Sequence, residues 1–151
     1  MLVKRPVFDA IGLFNPQYFM VGHEEDFCCR AARQGFATAV VIHAKLWHKV
    51  SASTGGGYTP GRAYFTGRST ILFLKEYGRA WHWITTLTFA AVSLPLAYLR
   101  ERRRGNQRAV VKKFLGYLDG LLGRPVDPEV EQYFQRNHSI PAGEVHARGN
   151  A

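Results

Sequence analysis

From Ala80 to Leu99 the chain carries no Asp, Glu, Lys or Arg, and it then runs directly into the basic segment RERRRGNQR. A membrane-spanning helix needs about 20 mostly apolar residues, so the stretch is just long enough to cross a bilayer. His82, several Thr and Ser residues and Pro95 argue instead for an interfacial or re-entrant helix pair. In that arrangement Trp81 and Trp83 sit at headgroup depth, and Arg100, Arg102, Arg103 and Arg104 meet an anionic membrane surface. If the segment spans, its basic flank faces the cytosol, and the expected location is the cytoplasmic face of the cell membrane. The soluble alternative is a core helix followed by a solvated basic loop. The formal net charge of +9 favours an anionic partner without choosing among membrane, nucleic acid and phosphorylated ligand. Nucleic acid is disfavoured, because the basic residues border an apolar stretch and do not interleave with stacking aromatics.

The rest of the chain divides around this segment. Residues 1–20 mix apolar and turn residues, with a break at Asn15-Pro16. Residues 24–34 read as a short helix: three acids lie in its first turn, Phe27 and Ala31 share a face, and Gly35 is a stop signal. The following FATAVVIHAKLWHKV is rich in β-branched residues and predicts one or two strands. SASTGGGYTP then breaks all periodicity, and a helix begins near Pro60 and continues to Gly78. Beyond the basic run, VVKKFLGYLDGLLGRPVDP gives an amphipathic helix with Phe114, Leu115, Leu118, Leu121 and Leu122 on its apolar face and Gly123 near its end. Three regions result: 1–78, a helical membrane-associated region over 79–125, and a tail over 126–151 that is expected to be disordered from Asn137. Cys28 and Cys29, adjacent in sequence, are poorly placed for a structural disulfide and are expected to be reduced.

The acids Glu24, Glu25 and Asp26 admit two readings. Carboxylates in a first helical turn are favoured by the macrodipole at roughly 0.3 to 1 kcal/mol each, which explains them as a solvated helix start. Alternatively one of them is a general base, with Arg30 and Arg33 on the same helix to oppose or orient it. Spacing does not choose between the two.

The strings RPVFDAIGLFNPQYFMVGHEEDFCCRAARQGF, LWHKVSASTGGGYTP and YFTGRSTILFLKEYG, in this order, resemble the C-terminal half of a glycosyltransferase family 2 enzyme of the bacterial rhamnosyltransferase-like kind. Members of that family carry an acidic pair, a spacer and an Asp, then Cys, a variable residue and Arg. They also carry a Trp-His-Lys followed by a Ser-rich loop, and an aromatic pair before Arg-Asn. The likeness runs from about residue 2 to about residue 125. It implies an α/β fold, the acceptor-side part of a GT-A domain with few strands, followed by amphipathic or membrane-associated helices.

The resemblance also implies a chemistry, in which an acceptor hydroxyl attacks the anomeric carbon of a nucleotide-sugar donor with inversion, in the synthesis of a cell-surface polysaccharide or glycolipid. By position Glu24 would be the base, with Glu25 as the fallback, and Asp26 would hold acceptor hydroxyls. His48 would approach a divalent cation, Mg²⁺ or Mn²⁺, or the donor diphosphate. Arg30, Lys49, Ser51 and Arg68 would contact substrate, the last as a phosphate partner or as a surface salt bridge, and the loop from Ser51 to Tyr58 would close as a lid.

Three features depart from the family pattern. His23 replaces the first acid of the pair, and Ser69 replaces the Asn after Arg68. No Asp-x-Asp and no Gly-rich phosphate loop occur in the sequence. The nucleotide-binding half is thus expected to be missing, and the chain to be a fragment, truncated product or split subunit that is inactive alone. It would pair with that half or with itself. A second reading, from another class, is a non-catalytic basic scaffold or partner subunit at the membrane.

Overall fold

The computed structural model describes residues 1–45, 47 and 57–132. Five helices follow one another: α1 (Arg5–Ile11), α2 (His23–Arg33), α3 (Pro60–Tyr77), α4 (Ala80–Arg103) and α5 (Gln107–Leu122). Residues 128–132 are helical as well.

The expected α/β architecture is overturned, because no strand and no sheet exist among the described residues. The segment expected to supply strands shows why. Its described part contains a turn closed by Ala44 N–H donating to Val41 O at 3.1 Å, and Val40, Val41 and Ile42 stay exposed. β-branched residues favour extended backbone only where a neighbouring strand takes up their N–H and C=O groups and a face is buried. Here no partner strand is present among the described residues.

The helices themselves start and stop for local reasons. Thr59 caps α3 by accepting from Arg62 N–H, and Pro60 occupies the first helical position, where its missing N–H costs nothing. Gly123, at φ 66°, ends α5 in the left-handed conformation that glycine adopts without strain. α4 is one continuous helix and not the expected pair, since Pro95 lies inside it without breaking it.

The core is the seam between α3 and α5. Tyr58, just before α3, accepts from Asn106 at the start of α5, while Lys75 near the end of α3 donates to Gly120 O and Leu121 O at the end of α5. The two helices therefore run in the same direction, and α4 returns the chain between them. Small residues bring the backbones together: a Cβ on Gly116 would lie 2.1 Å from Tyr64 O, and one on Gly67 would lie 2.2 Å from Lys113 O. Gly116 and Gly120 form a Gly-x-x-x-Gly stripe, the spacing that lets helix backbones touch.

Tyr64, fully buried, donates its hydroxyl to Asp119 and accepts from Asp127 N–H. Val130 completes the cluster with Tyr64 and Phe65, and Val126 packs against it, so the core draws in residues just beyond 125. Lys112 holds this return by donating to Asp127 (2.6 Å) and Glu129 (2.7 Å).

α4 is the exception to this packing. Its 24 residues would measure about 36 Å, and only Ala90 and Glu101 are buried. Trp81, Ile84, Leu87, Phe89, Val92, Leu96 and Leu99 are all exposed. By length and composition the helix can cross a membrane. At its C-terminal end Glu101 accepts from Arg100, Arg104 and Asn106, which fixes the turn into α5. Burial opposes the charge of Glu101, but the bonds from Arg100 and Asn106 and the Arg104 guanidinium outweigh it and hold the carboxyl below its ordinary value.

Candidate functional site

The acids of the first turn of α2 have three different fates. Gly22, at φ 88°, turns the chain into the helix beside the Tyr18 ring, and Glu24, Glu25 and Asp26 follow. Asp26 is 1 % exposed. The Tyr77 hydroxyl donates to its Oδ1 at 2.7 Å, and Arg30 Nε donates to its Oδ2 at 2.9 Å. The same guanidinium reaches Ile11 O at 2.6 Å and Leu13 O at 2.8 Å. Asp26 and Arg30 thus brace α2 to α3 and to the end of α1, and their hydrogen-bonding capacity goes into the fold, not to an acceptor sugar. Burial, and then the bond to Asp26, pushes the Tyr77 phenol above its ordinary value. Burial and the nearby Asp26 and Glu76 push Tyr18 up to about 12.

Glu24 and Glu25 are both exposed, and of the two it is Glu25 that lines the cleft described next. A cleft of about 430 Å³ opens between the start of α2, the C-terminal half of α3 and the first turns of α4. Glu25, Ser69, Thr70, His82 and Thr86 supply polar groups on its wall, and Val21, Phe73 and Leu74 supply an apolar surface. His82 Nδ1 accepts from Arg79 N–H at 3.0 Å, which leaves Nε2 as the donor nitrogen of the neutral ring. The Thr70 hydroxyl donates to Thr66 O, one turn back on its own helix, and keeps its lone pairs for a guest. A carboxylate, an imidazole N–H and acceptor hydroxyls on a half-apolar wall suit a hydroxylated ligand with an apolar portion.

The other residues singled out in the sequence do not converge on this cleft. Arg68 projects toward the end of α5, where it donates to Arg124 O at 2.7 Å while its Nε is buried without a partner among the described residues. It does not line the cleft. His48, Lys49, Ser51 and most of the Gly-rich loop lie outside the described residues, so the expected pairing of Glu24 with His48 does too. No group of three or more His, Cys, Asp or Glu side chains that could hold a metal ion is found among the described residues. Cys28 and Cys29 are free thiols, and burial, followed by the neighbouring Cys28, pushes Cys29 up, away from thiolate character.

Several residues of the cleft escaped notice in the sequence. His82 counted there only against a membrane span, yet it lines the same cleft as Glu25. Ser69 was read as a departure from Asn, and it proves to line the cleft, 4 % exposed. One signal was available: an Arg-x-x-His at a helix start places the imidazole where it can accept from the capping backbone N–H.

No family model matches the chain, and no curated protein or solved structure matches it.

Proposed function

We propose that this chain carries the acceptor-side elements of an inverting, membrane-associated glycosyltransferase, acting on a hydroxyl of a glycan or lipid-linked acceptor. Glu25 takes the acceptor hydroxyl proton. The freed oxygen forms a bond to the anomeric carbon of a nucleotide sugar, and the bond from that carbon to the diphosphate breaks, releasing the nucleotide diphosphate. The Asp-x-Asp segment that this sequence lacks, with its cation chemistry and its nucleotide site, belongs to residues or a subunit beyond this sequence. The observation that carries the reading is that Glu25 is, among the described residues, the one carboxylate lining the cleft, whose wall also holds the His82 imidazole. This replaces Glu24 with its neighbour as the base and removes Asp26 from substrate contact.

The apolar surface of α4 and its terminal arginines favour a site at the cytoplasmic membrane surface, where a lipid-linked acceptor is presented. The test is the composition of cell-surface glycans in the native host. Glu25→Gln should remove one sugar from them, while Glu24→Gln leaves them intact. Normal glycans from the Glu25→Gln strain would reject the proposal.

A second reading, a non-catalytic membrane scaffold, is favoured by the exposure of α4. It predicts normal glycans in both Glu variants and their loss when Leu87, Phe89 and Val92 are all changed to Ser.

A further inference from the structure

A second cleft, of about 370 Å³, lies between the C-terminal half of α4 and α5 and shares no lining residue with the first. Tyr58, Phe89, Leu94, Ala97, Arg100 and Lys113 build its wall. Of the two cations Arg100 is exposed and Lys113 is the unusual one. Lys113 is partly buried among apolar groups, and burial pushes its ammonium below the ordinary lysine value. Its neighbour Lys112 has Asp127 and Glu129 as counter-ions. Lys113 has no carboxylate partner among the described residues, only the Tyr117 ring with its centroid 5.9 Å away. Arg100 gives Nε to Glu101 and makes no other ion pair among the described residues. A desolvated cation without a counter-ion is costly unless an anion arrives.

The remaining wall is the Ser93 side chain and hydrocarbon from Phe89, Leu94 and Ala97, and it continues onto the exposed apolar surface of α4 at Leu96. The occupant therefore needs a compact anionic head joined to an apolar tail. A guanidinium fork beside a mobile ammonium suits an anion with several oxygens better than a single carboxylate. Tyr58, whose phenol burial pushes above its ordinary value, remains a hydroxyl donor for a further oxygen.

We propose that this cleft binds the phosphate head of an amphiphile, with the phosphate on Lys113 and Arg100 and the tail along Phe89, Leu94 and α4. The site does not depend on the transferase reading, since neither Glu25 nor His82 takes part. The phosphate can come from a bilayer lipid or from a soluble phosphate compound, and the probes separate these sources.

The purified 151-residue chain is titrated with phosphatidylcholine vesicles with and without phosphatidic acid, with dihexanoyl phosphatidic acid in solution, and with inorganic phosphate. Binding is expected to the phosphatidic acid vesicles and to the soluble dihexanoyl lipid, and not to phosphate alone. Inorganic phosphate binding as tightly as the soluble lipid would overturn the amphiphile.

Specific and diffuse attraction are told apart at roughly 1 M salt, where the screening length is about 3 Å. There Arg102→Gln should leave vesicle binding unchanged, while Lys113→Met weakens it by about tenfold or more, as loss of a charge-assisted bond implies. Ala97→Phe fills the cleft without altering charge and should reduce binding to a similar degree. It decides the matter if Lys113→Met fails to fold. Full binding by Ala97→Phe, or equal losses in Lys113→Met and Arg102→Gln, would show that only surface charge is at work.

Discussion

Replacing Gly116 by Ala tests the seam on which the whole arrangement depends. The added methyl would lie 2.1 Å from Tyr64 O and 3.0 Å from Arg68 N, whereas a carbon and a carbonyl oxygen normally rest at about 3.3 Å or more. The obstructing atoms are backbone and cannot rotate aside, so α3 and α5 must separate by about 1 Å. A gap of that size forfeits a quarter to a half of the dispersion well for each facing pair. Overpacking costs about 1 to 3 kcal/mol, and the upper end applies where no side chain can yield. The better helix propensity of Ala offsets about 1 kcal/mol, leaving a net loss of about 2 kcal/mol. For a chain of this size that is a fall in Tm of about 4 to 8 °C, measurable by far-UV circular dichroism in detergent micelles. Gly67→Ala meets Lys113 O at 2.2 Å and should cost about as much. The double variant should cost less than the sum of the two, because helices already pushed apart accommodate the second methyl. A Tm that rises for Gly116→Ala, following helix propensity alone, would refute backbone contact at this seam.

Tyr77→Phe withdraws one donor from the buried Asp26 carboxylate and should destabilise by about 1.5 to 3 kcal/mol, read from urea unfolding; an unchanged midpoint would deny that Asp26 is a brace. Stability should also fall in acid through Asp127. Burial alone would raise its pKa, but Lys112 and the N–H groups of Glu129 and Val130 lower it. Its contribution is therefore complete above the ordinary aspartate range and is lost as pH drops through the lower folded-state value. Thermal melts across this range should flatten in Lys112→Met, and an equal slope in both proteins would contradict the pairing. Cys29, with its raised thiol pKa, should be alkylated by iodoacetamide at neutral pH more slowly than free cysteine when tested in a Cys28→Ser background; faster reaction would count against the environment described. Calorimetry on the isolated chain should detect no tight nucleotide-sugar binding, and micromolar affinity would refute the assignment of the nucleotide site to residues beyond this sequence.

How far the sequence revealed the fold varied with the kind of signal. Helix ends were legible because they are written in adjacent residues: Pro60 after Thr59, Gly35 after α2 and Gly123 after α5 mark boundaries that lie within a residue or two of those observed. The strand expectation failed over the described part of 36–50 because β-propensity describes a surface half-buried against a neighbour, and Val40 to Ile42 meet no strand among the described residues. The acids of α2 were legible as a cluster, but their division of labour was not. Whether a carboxylate faces Tyr77 or a cleft depends on a helix some 50 positions away. The Gly116/Gly120 spacing was visible, yet its meaning required knowing that Tyr64 and Arg68 would lie opposite.

The attachment of α4 carries a topological consequence. The helix is joined to the start of α5 through the bonds of Glu101 to Asn106, and α5 carries Lys112, Lys113 and Asp119 on the same bundle. Sinking α4 upright into hydrocarbon would drag those charges after it, a cost that an orientation along the bilayer surface would avoid.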